Sequence, residues 1–296
     1  MSLPEPPFPL SSRLSALAQR VGLLGRGSRQ VLERASRLRL PFRAPTTYAE
    51  SICWHNGPAL HRLKELPRNA LSGPVQEDKA EARRYLMELI EVQQHLIPDL
   101  DLRRIDGLAH GHPQQAQHAS FESYAASDLC RPVRIISYND FVKALSQPLP
   151  GFLSGQRIDL LQAGWRGERL FWDGERHTQA FASAVAYARL RGLDTRLPAA
   201  ITQYSISGDG LRAFQQRYHA LAMPGEAWSD ADFMQLLMEH DVPYARLNLL
   251  QKPGSLEFLL LPKSAQQASA LGEGLRLAGA PDMLQYLHEL TDGQFL

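Results

Sequence analysis

Residues 172–182, WDGERHTQAFA, place charged side chains directly before an apolar helical pattern. The first N–H groups of a helix lack intrahelical partners, and the helix dipole adds partial positive charge at that end. Such an end is either capped by a side chain or used to hold an anion. The candidate ligand-binding residues are Asp173, Gly174, Glu175, Arg176 and His177.

Capping accounts for only part of this cluster. Asp173 is expected as the N-cap, and Glu175 as an acidic residue that complements the dipole in the first turn. Gly174 lets the chain turn sharply or lets a ligand approach the backbone. Arg176 and His177 are not explained in this way, because cations at a helix N-terminus oppose the dipole unless an anion lies between them. The cluster therefore leaves two interpretations open, a capped helix start and an anion site, and no catalytic residue is identified.

The run GERHTQA at residues 174–180 follows a predicted strand and opens a helix predicted over residues 175–191. It resembles the G-E-R-R-x-x-A box of ParB-type chromosome-partition proteins and, more loosely, the D-G-x-H-R element of sulfiredoxin-like domains. The resemblance covers at most residues 130–206, and four positions of the box match. It suggests a ParB/sulfiredoxin-like element within the fold.

In that superfamily the N-terminus of this helix, with its arginine, holds nucleotide phosphates. The resemblance implies that Gly174 provides the close backbone approach and that Glu175 and Arg176 match the acidic residue and first arginine of the box. His177 stands where the second arginine would be. The implied ligand is a nucleotide or another phosphorylated small molecule, with Mg²⁺ as the companion ion of a nucleotide.

Other residue groups offer weaker chemistry. His110, His112 and His118 share the loop at residues 107–119, but this loop has no nearby cysteine or carboxylate to complete a metal site, so no metal is predicted. Aromatic and cationic residues alternate through a strand region. They favour an exposed ladder of cation–π contacts over stacking on nucleic-acid bases. These residues are Trp165, Arg166, Arg169 and Trp172.

Hydrophobic periodicity predicts an α+β fold. A helical N-terminal region precedes a mixed sheet flanked by helices, with the buried helix at residues 175–191 at its centre. We divide the chain into a basic helical arm (residues 1–44), a mainly helical region (45–128) and a mixed α/β body (129–296), with one continuous core favoured for the body. A long helix is expected over residues 77–96.

Shorter elements are also expected from the hydrophobic pattern. Strands are predicted at residues 133–136, 157–161, 168–172 and 199–206, and a helix at residues 211–221. Gly192 is expected to close the central helix. Residues 244–250 and 256–261 are expected to form a hairpin across a turn at residues 252–255.

Charge is unevenly distributed along the chain. The net charge is only +1, so no global field draws the protein to nucleic acid or anionic lipid. Residues 1–50 nevertheless carry eight arginines and three glutamates. The excess of arginine over lysine throughout the chain is typical of a GC-rich coding genome, as in many bacteria. The basic stretch at residues 11–43 therefore offers a surface for a protein, nucleic-acid or anionic partner.

Cysteine usage and hydropathy suggest a location. Cys53 and Cys130 form no C-x-x-C pair, which fits a reducing compartment. We find no signal peptide and no transmembrane segment, so a cytoplasmic protein is expected. Two function classes stay open: a module that binds a nucleotide or phosphorylated ligand at residues 174–177, with or without hydrolysis, and a noncatalytic interaction protein that docks a partner through its basic arm.

Overall fold

The computed structural model describes residues 25–45, 50–249 and 257–292. Within these ranges the chain forms nine α-helices and nine β-strands. The helices are α1 (Arg26–Ala35), α2 (Gln76–Glu88), α3 (Phe121–Ala125), α4 (Tyr138–Ser146), α5 (Thr178–Arg191), α6 (Gly208–Arg217), α7 (Ala231–Glu239), α8 (Gln266–Leu277) and α9 (Met283–Asp292). The strands are β1 (Leu71–Ser72), β2 (Ile90–Asp101), β3 (Ile105–Leu108), β4 (Ile158–Ala163), β5 (Leu170–Trp172), β6 (Arg196–Ile206), β7 (Tyr218–Met223), β8 (Ala245–Leu247) and β9 (Glu257–Pro262). This composition confirms the α+β fold.

The chain divides into two compact units that interleave along the sequence. The first takes the described residues of 1–45, 67–84 and 212–285, and the second takes those of 46–66, 85–211 and 286–296. These boundaries do not coincide with the three segments predicted from the sequence. Residues 130–296, for which one core was expected, contribute to two separate hydrophobic clusters.

The first unit is built on an antiparallel sheet with the strand order β1-β8-β9-β7. Its core joins the inner faces of β7 and β9 to α1, α7 and α8. Helix α1 buries Val31, Leu32 and Ala35, so the described part of the basic arm is a component of this core. Gly274 in α8 makes that packing possible, because a Cβ atom there would lie 2.7 Å from the Leu32 carbonyl oxygen. Residues 11–24 of the predicted arm lie outside the described ranges.

The second unit is built on a mixed five-stranded sheet with the order β2-β6-β4-β5-β3. The pairs β2–β6 and β4–β5 are antiparallel, and the pairs β4–β6 and β3–β5 are parallel. Helix α5 lies in the core of this unit and buries eight of its fourteen residues. The predicted buried helix is therefore confirmed, although it begins at Thr178 rather than at residue 175.

Local sequence patterns failed where strand pairing decided the structure. The helix expected over residues 77–96 ends at Glu88, and residues 90–101 form β2 instead. This segment pairs with β6 over most of its length, and the ladder outweighs its helical hydrophobic spacing. Similarly, a predicted helix over residues 211–221 ends at Arg217 and continues as β7. A strand expected at residues 133–136 is irregular.

The antiparallel pairing of β8 with β9 confirms the predicted hairpin strands, whereas the turn at residues 252–255 lies outside the described ranges. No helix in the described part of the chain combines the length and apolar character needed to cross a membrane.

Candidate functional site

The candidate cluster lies where β5 leads into α5. Residues 173–177 are irregular, and α5 begins at Thr178. The N-cap is His177, whose backbone is left-handed (φ 55°, ψ 35°), and no side chain caps the helix. The expectation that Asp173 caps the helix, with Glu175 in its first turn, is therefore wrong. Because the helix begins further along the chain, its first N–H groups are left without a side-chain acceptor from this loop.

Asp173 is instead engaged by the histidine loop. Its Oδ1 atom lies 2.9 Å from Nε2 of His110, and both side chains are partly exposed. The backbone N–H of Asp173 donates to the Asp159 carbonyl in β4. The N–H of Ala109 donates to the carbonyl of Trp172, which holds the loop beside the end of β5. Two segments that the sequence presents separately thus meet at one site.

Gly174 has a packing role. A Cβ atom at this position would lie 2.0 Å from the ring of Trp172, so only glycine fits beneath the indole. The same indole stacks on Phe181 in α5, with ring centroids 4.0 Å apart and planes 16° from parallel. Both aromatic rings are buried. This contact fixes the end of β5 against the first turns of α5.

Arg176 and His177 are the basic residues that capping does not explain, and both are exposed together with Glu175. Within the described ranges, neither the Arg176 nor the His177 side chain has a hydrogen-bond or ion-pair partner. Their exposure leaves them available to a ligand at the start of α5. A guanidinium, an imidazole and free helix N–H groups are together suited to binding an anion.

A buried glutamine connects the histidine loop to α5. Gln115 donates from Nε2 to the Tyr124 hydroxyl at 2.6 Å and to the Thr178 hydroxyl at 3.2 Å. Its Oε1 accepts the backbone N–H of His112 at 2.6 Å. Burial raises the pKa of Tyr124 to about 12, so its hydroxyl stays protonated at neutral pH. Gln115 therefore positions the first residue of α5, a role that its sequence context did not reveal.

The other end of α5 is equally well anchored. Gly192 adopts a left-handed conformation (φ 64°) and its N–H caps the last turn, as the sequence predicted. Arg189 donates to the carbonyls of Arg103 and Ile105 and pairs with the carboxylates of Asp106 and Glu122. Both ends of the helix are thus fixed to neighbouring segments, which gives the loop before it a rigid support.

The aromatic and cationic run does not form an exposed ladder. Trp165, Arg166 and Trp172 are buried, and the guanidinium of Arg166 lies 4.2 Å from the ring centroid of Phe171. Arg166 also donates to the backbone carbonyls of Trp54 and Cys53. The Arg166 side chain is therefore part of the core, where hydrogen bonds to carbonyl groups and contact with an aromatic face compensate for the desolvation of its charge.

The three loop histidines do not converge. His110 pairs with Asp173, the ring of His118 packs against Tyr124, and His112 takes part through its backbone. Across the described ranges, no group of three histidine, cysteine or acidic side chains is arranged to hold a metal ion. Cys53 and Cys130 are buried, and burial raises the pKa of the Cys53 thiol to about 11. A thiol in such an environment is a poor nucleophile at neutral pH.

Sequence comparison places these elements in a family. The model of DUF6685, described as a family of unknown function, matches residues 95–295, a range that includes β4, β5, α5 and the histidine loop. No curated protein and no solved structure matches the chain significantly. Because the family match extends over more than half of the chain, this protein belongs to the DUF6685 family.

Proposed function

We propose that the second unit binds a phosphorylated small molecule at residues 173–178. The observation that carries this proposal is the pair of exposed basic side chains, Arg176 and His177, directly before a helix that no side chain caps. Without an anion the charge of Arg176 opposes the helix dipole. A phosphate would accept hydrogen bonds from Arg176 and from the first N–H groups of α5, and it would remove that conflict.

A nucleotide is the phosphorylated ligand that we propose first. The resemblance of residues 174–180 to the ParB/sulfiredoxin-like box supports this choice, because that box holds nucleotide phosphates with its arginine and helix N-terminus. Mg²⁺ would accompany the nucleotide through its phosphate oxygens. The His110–Asp173 pair borders the same loop and offers a group that can exchange a proton, so phosphate release belongs among the assays.

Calorimetric titration of Arg176→Ala tests the proposal. Nucleoside mono-, di- and triphosphates with Mg²⁺, and inorganic phosphate alone, are titrated into the wild type and the variant. A charge-assisted hydrogen bond contributes about 1.5–3 kcal/mol, so the variant is expected to bind about tenfold more weakly or worse. Arg134→Ala is a matched control, because Arg134 is also exposed and lies outside the loop.

The capping interpretation predicts a different result. If the cluster holds no anion, Arg176→Ala removes an unfavourable cation, slightly raises the melting temperature and changes no binding. Absence of binding by the wild type to every nucleotide and to phosphate would refute the proposal. Equal weakening by Arg134→Ala would show that the effect is nonspecific.

The alternative proposal, docking through the basic stretch at residues 11–43, is less favoured. Helix α1 lies within that stretch, and its apolar side chains are committed to the core of the first unit. Two of its arginines are also paired, Arg29 with Glu33 and Arg34 with Glu239. A variant that begins at residue 25 retains α1, so loss of a partner on this truncation, with nucleotide binding unchanged, would support docking by the preceding residues.

A further inference from the structure

Among the described residues, no further strand pairs with the outer side of β2, which forms a long edge of the five-stranded sheet. It contains twelve residues, and nearly all of the side chains from 91 to 99 are exposed. Two of these exposed side chains are apolar: Leu96 is 74% exposed and Val92 is 37% exposed. The opposite edge, β3, has only four residues and is mostly buried. Pro98 and the register shift between Ile97 and Leu100 interrupt the edge near the end of β2. Residues 91–97, before this interruption, contain no proline or lysine, the residues that commonly protect an exposed edge.

The ladder with β6 shows which backbone groups of β2 face outward. Ser207 donates its N–H to the Leu89 carbonyl, and Ile90 lies opposite Ile206. In an antiparallel ladder, hydrogen-bonded and non-hydrogen-bonded pairs alternate. The odd-numbered residues of β2 from 91 to 97 therefore bond to β6, whereas Val92, Gln94 and Leu96 direct their N–H and C=O groups to the open edge. No backbone hydrogen bond joins this edge to another described residue.

This edge is complementary to a second copy of itself. An antiparallel pair centred on Gln94 places Val92 of one copy opposite Leu96 of the other, at both ends of the contact. In this register the outward-facing N–H and C=O groups of residue 94 meet those of residue 94 in the other copy, and those of residue 92 meet those of residue 96. Each of these pairs can form two N–H···O bonds. On the other face, Gln93 lies opposite His95. Apolar and polar side chains are thus both matched, which is the pattern that stabilises paired strands.

We propose that two copies of this protein associate through β2, in antiparallel register about Gln94, to form one continuous sheet. The contact is isologous and closed by a two-fold axis, so it yields a dimer rather than a filament. The paired segment is short, and such small interfaces give weak association. The inference is independent of ligand binding at residues 173–178, because it uses none of those residues.

Sedimentation velocity of the full chain tests this dimer over a concentration range of about 1 to 200 μM, which spans the expected micromolar dissociation constant. The wild type is expected to shift from monomer to dimer within this range, whereas Leu96→Lys stays monomeric because each added ammonium group would lie opposite the apolar Val92 of the other copy. Leu153→Lys is the matched control, since Leu153 is 73% exposed and lies elsewhere in the same unit. It is expected to dimerise like the wild type.

A second variant tests the backbone pairing directly. Gln94→Pro removes an N–H that β6 does not use, so the monomer is expected to retain its circular dichroism spectrum while dimerisation is lost.

Mild oxidation of cysteine variants tests the register. Gln94→Cys is expected to form a disulfide-linked dimer because the two Cα atoms of residue 94 would lie about 5.5 Å apart, whereas Glu91→Cys is not expected to form one. A wild type that stays monomeric over the whole range, a dimeric Leu96→Lys, or equal cross-linking of the two cysteine variants would overturn the proposal.

Discussion

Replacement of Gln115 by leucine tests whether the histidine loop and α5 are joined as the structure indicates. The substitution keeps a side chain of similar size in a buried position. It removes two hydrogen bonds donated by the amide, to Tyr124 and Thr178, and one accepted from the His112 backbone. Two hydroxyl groups and one backbone N–H then lose a partner, and the Tyr124 hydroxyl belongs to a fully buried side chain.

The size of the effect follows from these three contacts. A hydrogen bond contributes a net free energy of about 1 kcal/mol, and an unsatisfied buried polar group costs about 1–3 kcal/mol. The leucine side chain recovers part of this loss through its additional apolar burial. We therefore expect Gln115→Leu to lower the free energy of unfolding by about 2–4 kcal/mol.

Urea denaturation, followed by tryptophan fluorescence, measures this change. Gln114→Leu is the matched control: it is the same substitution at the adjacent residue, whose side chain is exposed. The control is expected to change the free energy of unfolding by less than about 0.5 kcal/mol. A Gln115→Leu variant as stable as the wild type, or a control that costs as much, would refute the role assigned to this network.

Two further predictions concern burial in each unit. Burial lowers the pKa of His61 to about 4, with smaller contributions from the charges of Arg62 and Arg166. Because the unfolded pKa is about 6.5, the stability that neutral His61 contributes is fully present above pH 6.5 and is lost as the pH falls toward 4. Between pH 7 and 4, His61→Phe is expected to lose about 2–3 kcal/mol less unfolding free energy than the wild type, and parallel pH profiles would contradict this. In the first unit, a Cβ added at Gly274 would lie 2.5 Å from the Ala35 Cβ. Gly274→Ala is therefore expected to lower the free energy of unfolding by about 1–3 kcal/mol in thermal or urea unfolding. An unchanged free energy of unfolding would show that α1 can move away from the added methyl group without destabilising the protein.

The sequence by itself determined the central helix. The alanine-rich run after Thr178 leaves few polar side chains, so the segment had to be buried, and Gly192 supplied a left-handed end that other residues adopt at a cost. It also predicted strands close to β4, β5 and β6. These features depend on local composition and on the conformational freedom of single residues, which can be read along the chain.

Tertiary structure alone decided which distant residues meet. The pairing of β2 with β6 converted an expected helix into a strand, because an extended ladder satisfies the backbone of both segments at once. His110 reached Asp173 only because β3 and β5 lie side by side. The same principle explains the burial of Arg166, whose carbonyl partners lie more than a hundred residues earlier in the chain. Local patterns specify how a segment can fold, but the partners of a polar group depend on contacts between segments that no local pattern contains.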